Sequence, residues 1–250
     1  MINNNDVLQR EVAMLDTLSD MEIANQIMKT THDKARDAES VSLIDQRFDQ
    51  LGCDLIEPLD HRCNEYKGLE KYLISTSGKT HEHIRYRLQD IFRVKRTGED
   101  DRFAKGEHIK RPDSCRRLLW HGSRTTNFGG ILSQGLRIAP PEAPVNGYMF
   151  GKGIYLADVS TKSANYCMTS ASGGTGLLLL CEVELGNPMY ELLNADSSAG
   201  QKCLEQGSIA TLGVGQTVPQ DWTDAGAIHP SLKGILMVST SCQTLSADQA

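Results

Sequence analysis

The chain has 250 residues, ordinary charged and apolar fractions and a net charge of -6. It can therefore bury one sizeable core, with or without a small appendage. The acid excess argues against a broad nucleic-acid surface, which needs clustered Lys and Arg. The basic groups at residues 93–96 (RVKR) and Arg116-Arg117 are short and read as solvated surface. No apolar run approaches the roughly 18–20 residues that span a bilayer. Met1 leads into INNND rather than a basic and apolar leader, so the chain is expected to be soluble, intracellular and without membrane contact. The seven cysteines (Cys53, Cys63, Cys115, Cys167, Cys181, Cys203 and Cys242) form an odd set with no C-x-x-C pair. Reduced thiols fit this better than a zinc site or a disulfide framework. His81-Glu82-His83 lacks metalloprotease spacing, and no metal is expected.

In chain order, residues 6–29 predict an amphipathic helix. Leu8, Val12, Leu15, Leu18, Ile23 and Ile27 fall near one face, and Asp6 can cap it with Gln9 three residues on. Residues 30–42 are polar and read as a linker. A lone helix cannot bury its apolar face by itself, so this one should dock on the main domain or belong to a larger helical unit. Short elements come next: a strand at 51–56, a helix at 65–75, a strand at 88–95 and a strand at 118–121. A helix at 127–134 ends near Gly135, and a strand at 153–156 precedes a helix at 160–168. The clearest strand is 177–185 (LLLLCEVEL), whose second half alternates Cys181, Val183 and Leu185 against Glu182 and Glu184. Gly, Ser, Thr and Pro dominate 197–223, which reads as loops. Many short strands with few long helices favour an α+β fold over a doubly wound sheet. Gly151-Lys152-Gly153 completes neither a dinucleotide fingerprint nor a phosphate loop.

Residues 118–166 concentrate the chemistry. They read LLWHGSRTTNFGGILSQGLRIAPPEAPVNGYMFGKGIYLADVSTKSANY. A His-Gly-Ser tripeptide, a Gly-rich turn, a Tyr and a Ser-Ala-Asn-Tyr segment supply an imidazole, a hydroxyl, flat aromatics and exposed amides. That set suits a planar carboxamide such as nicotinamide. Gly122 lets its main-chain N–H and C=O approach an amide. Ser163 offers a hydroxyl to the same amide. Tyr155 and Tyr166 can lie against the two faces of a ring.

These segments, with TKSANYC and HPSLKGILM, resemble the catalytic domain of the poly(ADP-ribose) polymerases over nearly the whole chain. The resemblance implies an ADP-ribosyltransferase fold of two packed, mainly antiparallel sheets, preceded by the last helix of a regulatory helical domain. Residues 1–38 would be that helical remnant with its linker, and 39–250 the catalytic domain. It implies a nuclear transferase of the DNA-repair kind that uses NAD as substrate and modifies protein acceptors, itself included. This segment would not bind nucleic acid directly. By resemblance, His121 holds the adenosine ribose hydroxyls and Lys162 lies near the reacting ribose. Ser123, Asn127 and Arg137 face the adenosine half, Tyr148 sits on a loop over the site, and Asp16 approaches from the helical side. Leu156 replaces a commoner Phe, and Cys167 is expected to be buried and inert.

One departure stands out. The family completes its site with a Glu in an Asn-Glu-Tyr sequence on a late strand, and none occurs here. The acids after Leu185 are Glu191, Asp196, Glu205, Asp221, Asp224 and Asp248. None is read as part of an alternating apolar strand, and the role is carried onto none of them. The chain is accordingly expected to be truncated at its C-terminus and impaired in turnover. The alternative is an inactive relative that binds NAD or a protein.

Overall fold

The computed structural model describes residues 18, 21–26, 29, 42–81, 83–138, 148–215, 217–219, 221–239 and, for backbone pairing, 243–244. Among the described residues, ten short strands and a set of short helices make an α+β architecture. The strands are β1 Cys53–Pro58, β2 Phe92–Arg96, β3 Arg116–Ser123, β4 Leu177–Glu184, β5 Tyr190–Leu192, β6 Thr211–Gly213, β7 Thr217–Val218, β8 Trp222–Asp224, β9 Leu236–Val238 and β10 Gln243–Thr244. The principal sheet runs β4-β3-β9-β8. Pairs β1/β2, β3/β4, β8/β9 and β7/β10 are antiparallel, while β3/β9 and β5/β6 are parallel.

Strand β3 organises the molecule. It pairs with β4 over its whole length, from Arg116 opposite Glu184 to Ser123 opposite Leu177. Leu118, Leu119 and Trp120 are all buried, as a strand covered on both faces requires. On one face, Leu118 and Trp120 join Leu178 and Leu180 of β4 and Ile235 and Val238 around β9. Burying side chains such as Ile235 and Val238 contributes roughly 1.5–3 kcal/mol each.

Helix Asn64–Ser75 closes that face. Its N-cap Cys63 accepts a hydrogen bond from the Tyr66 N–H, and its buried side carries Tyr66, Tyr72 and Leu73. Tyr72 stacks on Trp120 with ring centroids 5.4 Å apart and donates its hydroxyl to the Leu118 carbonyl at 3.1 Å. Aromatic stacking plus a satisfied hydroxyl is a stable way to bury a Tyr. The Tyr86 hydroxyl is buried beside Ser160 without a well-formed hydrogen bond, and burial pushes it up to about 12.

The basic groups read as solvated surface prove to be fasteners. Arg93 pairs with Glu57 and Glu65, tying β1/β2 to helix Asn64–Ser75. Arg96 donates to the carbonyls of Leu132 and Ser133 at 2.7 and 3.2 Å, satisfying the end of helix Phe128–Gln134. Arg116 pairs with Glu182 at 2.8 Å. The Arg117 guanidinium lies 4.1 Å over the Trp222 ring.

Several sequence expectations need correction. The strand expected at 88–95 starts only at Phe92, because Leu88 packs on the core instead. Residues 153–156 form no strand, and the pairing next to β3 is an isolated bridge from Trp120 to Ala157. The helix expected at 160–168 is α-helical only over Ser160–Ala164, then tightens to a 3₁₀ turn, Asn165–Cys167, before Met168 at φ 49°. Within 197–223 the structure has helix Ala199–Glu205 and strands β6, β7 and part of β8 rather than loops. Glu191 and Asp224 do lie on strands, β5 and β8, and both are exposed there. Helices Leu43–Gln50 and Glu99–Lys105 were not anticipated. Of the helix expected at 6–29, residues 18, 21–26 and 29 are helical. Ala24 lies within 3.5 Å of the position a Cβ on Gly129 would take, so this segment docks on helix Phe128–Gln134. Asp6, Gln9 and Asp16, most of residues 30–42, Glu82, residues 139–147 and Asp248 lie outside the described residues.

Candidate active site

The end of β3 forms the site's floor. His121, Gly122 and Ser123 follow the buried Leu-Leu-Trp run in the same strand. His121 Nδ1 lies 2.8 Å from the Tyr155 carbonyl oxygen. A carbonyl only accepts, so Nδ1 carries the proton and Nε2 is the acceptor of the neutral ring. The same bond fastens Tyr155 to β3 without a strand. The Tyr155 hydroxyl donates to the Gly151 carbonyl at 2.7 Å and accepts from the Phe150 N–H at 3.0 Å. Residues 150–155 thus fold back as a closed turn, which explains why an apparent strand sequence is not one. Burial raises the Tyr155 hydroxyl above the ordinary phenol range, with the Phe150 N–H bond opposing the rise. Tyr148 lies beside it, ring centroids 6.0 Å apart.

Helix Ser160–Ala164 forms the second wall. A Cβ on Gly122 would fall 1.8 Å from the Ser163 carbonyl oxygen, so only glycine permits β3 to pass this close. Ser163 is buried, 4% exposed, and donates its hydroxyl to the Trp120 carbonyl at 2.8 Å. Its oxygen keeps lone pairs to accept from an amide. Lys162 is exposed on the same helix, and its charge lies near Asp158, whose carboxyl is pushed up mainly by burial. Tyr166 is 63% exposed, leaving its ring available to a ligand. Cys167 is buried with Sγ 3.1 Å from the Leu177 carbonyl. Burial raises its thiol above the ordinary range, with a Ser123 backbone hydrogen bond opposing.

Asn127 Nδ2 donates to Ser123 Oγ at 3.0 Å, which brings these two expected residues together at the far end of β3. Arg137 is exposed beyond Gly135, the φ 81° residue that ends helix Phe128–Gln134. The structure thus joins His121 with Tyr155, Gly122 with Ser163, Ser123 with Asn127 and Tyr148 with Tyr155.

Sequence reading missed the supports behind these walls. Thr76, Ser160 and Thr161 are buried polar residues that link helix Asn64–Ser75 to both. Their signal was faint: a run of small hydroxyl residues at element ends, where buried polar groups must be paired.

Two of the late carboxylates, Asp224 and Asp196, and Glu184 of β4 are engaged by the fold. Asp224 accepts from the Gly226 and Gly234 N–H groups at 2.6 and 2.9 Å, which hold it below the usual carboxylate range. Asp196 accepts from Lys202 and Ser198 and is held down at about 2. Glu184 accepts from Ser114 and from the Cys115 and Gly186 N–H groups. Among the described residues, no group of three or more His, Cys, Asp or Glu side chains is placed to hold a metal ion, and no helix is long and apolar enough to cross a membrane.

Comparison with known proteins places the chain in a family. The poly(ADP-ribose) polymerase catalytic domain model matches residues 63–247. The chain is 47% identical over 227 residues to Poly [ADP-ribose] polymerase 2-A of Oryza sativa subsp. japonica, covering 89% of this chain and 32% of that protein. It is 45% identical over 219 residues to Poly [ADP-ribose] polymerase 2 of Homo sapiens (88% and 35%). Against Poly [ADP-ribose] polymerase 1 of Arabidopsis thaliana it is 44% identical over 223 residues (88% and 21%). The chain thus spans about a third or less of the length of these relatives. With the β3 floor and the Ser160–Ala164 wall in place, the chain belongs to the poly(ADP-ribose) polymerase catalytic-domain family.

Proposed function

We propose that this chain holds NAD through its nicotinamide end and carries the site of a protein ADP-ribosyltransferase that cleaves the nicotinamide–ribose bond. The observation that carries the reading is the close passage of Gly122 against Ser163, which sets the Gly122 backbone beside Ser163 and admits no side chain at 122. In this reading the Gly122 N–H and C=O and the Ser163 hydroxyl bind the amide, while Tyr155 and Tyr166 flank the ring. His121, Ser123, Asn127 and Arg137 serve the adenosine half. Tyr148 covers the site, and Lys162 lies near the ribose.

Cleavage passes through an oxocarbenium-like transition state, as in glycoside hydrolysis. The site must orient the leaving amide and favour positive charge on the ribose. The first task falls to Gly122, Ser163 and the two tyrosines. The second is the weaker half here, because no Asn-Glu-Tyr occurs and Asp196, Asp224 and Glu184 serve the fold. One missing preorganised group of this kind typically costs on the order of 10²–10³ in rate. The same observation supports a second reading, a relative that binds NAD or a protein partner with little turnover.

Residues 1–38 end a regulatory helical unit and 39–250 form the catalytic domain, whose acceptors are proteins, itself included, in the nucleus. Labelled NAD tests the function. Saturable NAD binding with turnover at least a hundredfold below a relative bearing Asn-Glu-Tyr is expected. Turnover matching that relative would remove the impairment, and absence of NAD binding would remove the whole reading.

A further inference from the structure

We infer that Thr76, far from the site in sequence, is a positioning residue that fixes the spacing between its two walls, the end of β3 and helix Ser160–Ala164. The inference rests on the proposed reading of the site. Thr76 is 0% exposed and uses every polar atom it has. Its N–H and hydroxyl both donate to the Tyr72 carbonyl, at 3.1 and 2.8 Å, which anchors it to the end of helix Asn64–Ser75. Its hydroxyl oxygen accepts from Trp120 Nε1 at 3.1 Å. Its carbonyl accepts from the Ser160 N–H at 2.9 Å.

The two outward bonds reach different walls. Trp120 immediately precedes His121-Gly122, and its own carbonyl receives the Ser163 hydroxyl. Ser160 opens the helix bearing Lys162 and Ser163. Ser160 also donates its hydroxyl to the Leu73 carbonyl at 2.8 Å, and Thr161 accepts from the Gly78 N–H at 3.0 Å. One side of the helix is therefore pinned to the 73–78 corner at three points, while its other side faces Gly122. A buried polar network of this kind rigidifies its surroundings when every member is satisfied, and the loss of one member leaves a costly unpaired group. With the Gly122–Ser163 approach as tight as it is, a shift of a few tenths of an ångström reaches the amide-binding groups.

The test compares Thr76→Val, which keeps shape and loses the hydroxyl, with Thr76→Ser, which keeps the hydroxyl. Affinity for 3-aminobenzamide, a nicotinamide mimic, is measured by calorimetry on the full chain well below each variant's melting temperature. Amide hydrogen exchange at residues 160–163 is followed in parallel. Thr76→Val is expected to weaken benzamide about tenfold, the scale of one lost hydrogen bond, and to speed exchange at 160–163. Thr76→Ser is expected to stay within about twofold on both. If Thr76→Val fails to fold, Trp120→Phe removes the same bond from its other end and replaces it. A variant that melts lower but binds benzamide like wild type makes Thr76 merely structural and overturns the inference, as does equal loss in Thr76→Ser. A wild-type chain that binds no benzamide overturns the proposed function, and this inference falls with it.

Discussion

The floor and wall around His121 and the segment after Leu185 use polar groups in opposite ways. Around His121, buried hydroxyls of Thr76, Ser160 and Thr161 hold the frame, which leaves the Gly122 backbone, Ser163 oxygen and Tyr166 ring for something else. After Leu185, the polar groups hold the chain itself: Asp196 closes the turn into helix Ala199–Glu205, and Asp224 bridges Gly226 and Gly234. The difference teaches where function sits. A group whose hydrogen-bonding capacity is filled by its own backbone makes fold, and a group supported from behind with capacity to spare makes a site.

Gly122→Ala should break this comparison most forcefully. Its Cβ meets backbone rather than a movable side chain, and overpacking of that kind costs about 3 kcal/mol. For a domain of this size the expected fall in Tm is roughly 10 °C, with benzamide binding abolished. A thermal scan that moves by less than about 2 °C would show that the close passage is not a constraint.

His121→Gln comes next. It should weaken NAD about tenfold, the value of one to two polar contacts, and leave benzamide within about twofold. Equal loss for both ligands in parallel titrations would place His121 at the nicotinamide end instead.

The late region predicts an acid response. The folded carboxyl of Asp196 is depressed to about 2 from 3.8. Its stabilisation is therefore fully present above about pH 4 and is lost as pH falls toward about 2. Asp196→Asn should flatten that limb of an acid-unfolding curve without moving benzamide affinity at pH 7. An unchanged limb would remove Asp196 from the account.

The smallest expected effect is Tyr86→Phe. The hydroxyl it deletes is buried without a well-formed partner, so Tm should stay level or rise slightly. A fall beyond about 4 °C would mean that the Tyr86 hydroxyl supports Ser160.

The sequence was most readable where one periodicity ran long enough to dominate. The alternation in LLLLCEVEL placed β4 to within a residue, and the tyrosine and leucine spacing placed helix Asn64–Ser75. The His-Gly-Ser stretch stood out through its likeness to the family pattern, and it lies at the end of β3. Short elements escaped, since β6, β7 and β8 hold only two or three residues each and show no period. Tyr155 misled because its ring chemistry closes a turn inside a strand-like sequence. Helix Leu43–Gln50 carries only a short local signal: Ser42 caps it by accepting from the Ile44 N–H, with Asp45 in the first turn. Helix Glu99–Lys105 likewise starts with three acids and ends on Lys105. The Thr76 network could not be read at all, because its members are 44 and 83–87 residues apart in pairs.

In the proposed function, β3 and helix Ser160–Ala164 together bind a nicotinamide-type carboxamide. Calorimetric titration of this chain with 3-aminobenzamide, run beside Ser163→Ala, tests it most directly. Saturable one-to-one binding that weakens about tenfold in Ser163→Ala, the scale of one hydrogen bond, is expected. Absence of binding in the wild-type chain, or equal binding in the two proteins, would contradict it.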